Sequence, residues 1–121
     1  MSDQQSPEPV RALICIGVRD AFFAADADER KLVFETTKAA FADLSGRFGV
    51  SVIGTFDDDT LQVGPSSAAP WTAYILMDTP GYESVRSIAS IIRDTPVGDH
   101  LMWHYYKIEA RLGRGLFFGT E

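Results

Sequence analysis

Nine consecutive residues, Val10 to Val18 (Val-Arg-Ala-Leu-Ile-Cys-Ile-Gly-Val), carry one charge among them and are otherwise apolar or glycine. A strand of that composition has no face suited to water, so the run predicts a central strand covered on both sides.

Arg19 and Asp20 end the run. Ala21 to Ala25, with Phe22 and Phe23, reads as a loop that tucks its rings over the core. Asp26 and Glu29 have the spacing of a capping box. Val33, Thr37, Ala40, Leu44 and Phe48 then recur at helical spacing, which predicts one amphipathic helix stopped by Ser45-Gly46. Val50 to Phe56 alternates as a second strand and leads into an acidic turn, Asp57-Asp58-Asp59. Thr60 to Val63 reads as a minor strand or as part of a long connection, and Gly64 to Pro70 as a loop. Trp71 to Thr79 is a third strand, closed by Pro80-Gly81. Val85, Ile88, Ala89 and Ile92 mark the inner face of a second helix, with Arg86, Ser90 and Arg93 on the outside. His100 to Leu112 has neither Gly nor Pro and predicts one long strand. Met102, His104, Tyr106, Ile108, Ala110 and Leu112 would share one face of it, and Leu101, Trp103, Tyr105, Lys107, Glu109 and Arg111 the other.

The resulting order, strand, helix, strand, strand, helix, strand, is the α+β, ferredoxin-like β-α-β-β-α-β pattern, a four-stranded antiparallel sheet with both helices on one face. The opposite face needs a cover, and a second copy of the chain is the expected one, giving a homodimer through the open sheet face. Leu116-Phe117-Phe118 is expected to extend into that partner.

A chain of 121 residues, 45% hydrophobic, fits one domain over residues 10 to 121, with residues 1 to 9 as a disordered lead-in. A formal charge of -6 argues against a nonspecific nucleic-acid partner, which needs Lys and Arg to replace phosphate counterions. The single cysteine, Cys15, forms no internal disulfide and reads as a small buried hydrophobe. The polar, acidic start lacks the features of a signal peptide, and no apolar run reaches membrane-spanning length. The expected setting is cytoplasmic, without a membrane partner.

Several stretches carry a family likeness: Ile16-Gly17-Val18 with Phe22-Phe23, Arg47-Phe48-Gly49, Gly54 to Asp59, Gly64-Pro65-Ser66, Pro70 to Asp78, Thr95 to Gly98, and Lys107 to Arg114. On these the chain resembles the dimeric α/β-barrel superfamily and, within it, the darcynin-like family, which includes IacB-type auxiliary proteins of indole-3-acetic acid degradation. The resemblance implies a dimeric α/β-barrel accompanying enzymes that degrade an aromatic or indolic acid. It brings no catalytic motif with it.

Among single residues, His104 falls on the helix-facing side of the last strand, as a satisfied core residue or as a general acid or base. Tyr74 and Tyr106 are its possible hydrogen-bond partners. Asp78, at the end of an apolar strand, suits proton transfer if burial raises its pKa, and equally suits capping the helix after Pro80-Gly81. Lys107, Glu109 and Arg111 read as a salt-bridge ladder. The competing reading makes Arg111 or Arg19 a clamp for a ligand carboxylate. Trp71 and Trp103 belong to a core, an interface or the wall of an aromatic site.

His100 and His104 would stand about 13 Å apart along a strand, so no metal pair is expected of them. The three aspartates read as a solvated turn in preference to a metal loop. No phosphate-binding glycine loop or nucleophile elbow is present, and no cofactor is called for.

Three functions remain open. The first is a small auxiliary enzyme acting on an aromatic acid by cofactor-independent proton transfer, of isomerase or dehydratase type, with His104 as acid or base. The second is a non-catalytic binding or scaffold protein for such a ligand, and the third a cofactor-independent monooxygenase.

Overall fold

The computed structural model describes residues 9–64 and 71–120. The expected lead-in, apart from Pro9, and the Gly64 to Pro70 loop, apart from Gly64, lie outside the described residues. The elements run β1 (Val10–Val18), α1 (Asp20–Ala24), α2 (Ala27–Ala40), α3 (Leu44–Phe48), β2 (Ser51–Asp57), β3 (Ala73–Thr79), α4 (Tyr82–Asp94), β4 (Pro96–Val97), β5 (His100–Leu101), a 3₁₀ turn (Met102–His104) and β6 (Tyr106–Gly113).

β1 is central, as its composition requires. It pairs antiparallel with β3, Val10 opposite Thr79 and Ile16 opposite Ala73, and with β6, Arg11 opposite Gly113 and Val18 opposite Tyr106. The sheet order β2-β3-β1-β6 is that of a ferredoxin-like α+β domain. The expectation of an α/β-barrel is corrected by that order: β2 and β6 are free edges, and the sheet is open. Among the described residues no helix is long and apolar enough to cross a membrane.

One face of the sheet is packed. Ala12, Ile14 and Ile16 of β1, Met77 of β3 and Tyr106 of β6 meet Val33 of α2, Leu44 of α3 and Val85, Ile88, Ile91 and Ile92 of α4. The i, i+3, i+7 spacing in α4 buries Val85, Ile88 and Ile92 on one stripe and leaves Arg86 and Arg93 in solvent. Ser84 ties α4 to α3 by donating to the Phe48 carbonyl at 2.8 Å.

Three local expectations are corrected. The first helix is two helices. Asp43 takes a left-handed conformation (φ 52°) between them, which Asp tolerates. Its carboxylate accepts from the Gly46 amide at 3.1 Å, capping α3. Gly46 therefore sits inside α3 and does not end a helix, since a Cβ there would fall 2.7 Å from Asp43 Oδ1. Gly49, at φ 72°, is the residue that ends it. Ala21 to Ala24, expected within a loop, belong to helix α1 (Asp20–Ala24), with Phe22 buried and Phe23 exposed.

The long strand from His100 is the third correction. β1 stops at Val18, opposite Tyr106, so residues before Tyr106 have no neighbour to pair with in that sheet. They form a small hairpin, β4 with β5, and then the 3₁₀ turn. A turn with three residues per repeat sends both Met102 and Tyr105 inward, and both are buried. Tyr105 and Tyr106 are consecutive and both buried, the first by the turn and the second by the helix-facing side of β6.

Replacing the fully buried Ile88 with alanine should lower unfolding stability by about 3 kcal/mol, while Arg93→Ala on the outer face of α4 should change it by less than about 0.5 kcal/mol. Urea unfolding of both variants checks the assignment of the α4 faces.

Candidate functional site

A cleft of about 420 Å³ runs between α4 and the start of β6. Its lining is Arg19, Arg86, Ala89, Ser90, Ile92, Arg93, Trp103, Tyr106, Lys107 and Ile108. Residues 86, 89, 90 and 93 form one stripe of α4, because positions three and four apart on a helix are neighbours. The 3₁₀ turn supplies Trp103. Arg19, just past the end of β1, is fixed to that turn twice: its amide donates to the Tyr105 carbonyl at 2.7 Å, and its guanidinium to the Trp103 carbonyl at 3.2 Å.

The cleft is cationic in an acidic protein. Arg86 has only an exposed partner, Glu83, at 3.4 Å, a pairing that contributes little in water. Arg93 has no ion pair among the described residues. The Lys107 ammonium stands 4.8 Å from the centre of the Trp71 ring, a cation–π contact. No histidine and no carboxylate belongs to the lining. The Tyr106 hydroxyl is bonded to Thr37 Oγ1 at 3.0 Å, and burial raises its pKa above the ordinary phenol value. The lining thus sets cationic side chains beside an indole ring.

The residues expected to act together are dispersed. His104 is not on the helix-facing side of a strand: it ends the 3₁₀ turn, exposed, with its ring stacked on His100. Asp78 neither caps α4, whose N-cap is Gly81, nor has a raised pKa. The Arg11 guanidinium holds it through two contacts of 2.8 and 3.2 Å, and these hydrogen bonds lower its pKa below the usual carboxylate value. Tyr74 pairs with Cys15 on the far side of the sheet from Tyr106. Its hydroxyl donates to Asp58 and to the Trp71 carbonyl, both at 3.1 Å. Burial foremost, then Asp58, raises its pKa.

The same open face holds Glu109 and Arg111, paired at 2.9 Å, beside Cys15. Of the expected ladder, Glu109 and Arg111 form a link and Lys107 turns to Trp71 instead. Burial pushes the Cys15 thiol pKa up, with Arg111 opposing it. Thr60 to Val63 form no strand and are exposed.

Arg19, Trp103, Tyr106 and Lys107 are thus the named candidates that the fold brings to one place. Arg86 and Arg93 were legible as outward residues of the second helix but not as site residues. Their signal is cationic side chains seven apart on one stripe, which becomes a site only once β6 is known to lie alongside. Tyr105 was also missed as an anchor. Its hydroxyl donates to Glu29 Oε2 at 2.6 Å, and burial together with that carboxylate pushes its pKa up to about 12.

The chain matches no protein-family model and no curated protein. Among solved structures, it is similar to a dimeric protein of unknown function and ferredoxin-like fold from Bacteroides fragilis, at 13% identity and a TM-score of 0.45, over 88% of this chain and 95% of that one. The expected place in the darcynin-like family, and with it the link to indole-3-acetic acid degradation, is corrected: no family model matches the chain.

The Tyr105 contact has a pH consequence. A phenol whose pKa is raised on folding contributes stability that is complete below its unfolded value near 10 and is lost as pH rises through about 12. Ultraviolet titration should show that Tyr105→Phe removes a tyrosine ionising near pH 12, and Glu29→Gln should move that ionisation toward the ordinary range. Urea unfolding between pH 9 and 12 should show a smaller loss for Tyr105→Phe than for the unmodified protein.

Proposed function

We propose that this protein binds a small aromatic acid in the α4–β6 cleft, with the carboxylate at Arg19, Arg86 and Arg93 and the ring against Trp103. The observation that carries this reading is a group of three arginines beside an exposed indole, with no carboxylate in the same lining. Planar guanidinium groups suit two-pronged contacts with a carboxylate, and an aromatic face suits a flat ring. The acid-base enzyme reading needs His104 beside the bound ligand, whereas His104 is not part of the cleft lining. The binding-module reading has no such requirement and is the better supported of the two.

The test is titration with benzoate, phenylacetate and 1-naphthoate, each with its methyl ester, followed by tryptophan fluorescence and amide NMR shifts, with mass spectrometry for products. The acids should bind about tenfold or more tightly than the esters, and Arg93→Ala should lose about the same factor, consistent with one charged hydrogen bond. Trp103→Ala should weaken the naphthoate most. Equal affinity for acid and ester would sink the anion reading. Product formation that disappears in His104→Ala would return the protein to the enzymes.

The same reading includes a homodimer through the open sheet face. Its support is Phe56, 62% exposed and stacked on Tyr74 at 4.8 Å, next to the half-buried Leu13 and Leu76. The pairs Arg11–Asp78 and Glu109–Arg111 place both signs of charge around that apolar strip, so a twofold-related copy can meet each charge with its opposite. Sedimentation equilibrium should give twice the chain mass, and Phe56→Arg should give the monomer without unfolding it.

A further inference from the structure

The cleft leaves unused a second cluster, formed by His100 and His104. We propose that these two histidines bind a divalent transition-metal ion, with Zn²⁺ the reference case. Their ring centroids are 3.9 Å apart and their planes differ by 7°. Imidazole lone pairs lie in the ring plane, and two Zn–N bonds of about 2.0–2.1 Å at a tetrahedral angle place the ligating nitrogens about 3.3 Å apart. In the stack the two sets of lone pairs lie in parallel planes and do not converge, so binding one ion requires each ring to turn out of the stack about its side-chain bonds, which the exposure of both rings permits.

The backbone on both sides is held in place. His100 pairs across the β4–β5 hairpin with Val97, and His104 closes the 3₁₀ turn. Both rings stand edge-on to Tyr105, at 6.0 and 4.8 Å, and Tyr105 is itself buried and bonded to Glu29. Folding thus brings the two residues side by side, and the turning of the rings is what binding has to supply.

The surroundings favour a cation. Asp28, Glu29 and Asp99 line a recess with His100 and Tyr105, which puts negative charge on the His100 side of the pair, while the Arg19 guanidinium lies at the Trp103 carbonyl beside His104. Both histidines are exposed, and an aqueous ion reaches them without any opening of the fold. Among the described residues no three His, Cys, Asp or Glu side chains form a closed metal group, so the ion would keep water in its remaining positions. Imidazole donors select zinc, nickel and copper over magnesium and calcium.

The experiment is calorimetric titration of the full chain, stripped with chelator, with ZnCl₂, alongside NMR of the imidazole nitrogens. One saturable site per chain is expected, with both histidines shifting together and excess Mg²⁺ failing to compete. His100→Gln and His104→Gln should each weaken binding about tenfold or more, while Asp58→Asn, on the acidic turn, should leave it unchanged. Because both rings are exposed, circular dichroism of the variants should match the parent. Absence of saturable Zn²⁺ binding, or binding that survives both histidine substitutions, would overturn the proposal.

Discussion

The pairing of β1 along both of its edges is the constraint on which the rest of this structure depends. Backbone amides and carbonyls buried at the centre of a domain need partners, and β3 and β6 provide them over nearly the whole of Val10 to Val18. The end of β1 then decides where β6 begins. Upstream of Tyr106 the chain has no strand beside it, and it satisfies its backbone by curling: the Met102 amide donates to the Thr95 carbonyl and the Tyr105 amide to the Met102 carbonyl, both at 2.9 Å. Trp103 at the cleft and the two stacked histidines are consequences of that curl.

The two faces of the sheet solve different problems. Toward the helices the core closes with aliphatic side chains at zero or near-zero exposure, and the polar groups there, such as Thr37 and Tyr106, satisfy one another. On the open face the charges neutralise locally, Arg11 with Asp78 and Arg111 with Glu109. The α4–β6 cleft differs from both. It gathers cationic side chains with no carboxylate in the same lining, in a chain whose formal charge is -6. Local field, and not net charge, is what a small anion meets at close range.

That contrast also explains why the expected catalytic group dissolves. Asp78 and Tyr74 are on the open face and are engaged by Arg11 and Asp58, and Tyr106 is on the helix face. His104 is outside the sheet altogether. The sheet and its register separate residues that the sequence offered as one another's possible partners.

By itself the sequence determined the element order, the central place of β1, the buried stripe of α4 and the alternation of β6 from Tyr106 onward, because each follows from hydrophobic period within one segment. It also named Arg19, Trp103, Tyr106 and Lys107 among its candidates. Only the tertiary structure decided that they meet Arg86 and Arg93 in one cleft, that His100 lies against His104, and that Gly46 clears a carboxylate instead of ending a helix. Those outcomes depend on where a neighbouring strand runs out and on which side chains a turn brings together. Such facts are set by packing between distant segments, which no local period records.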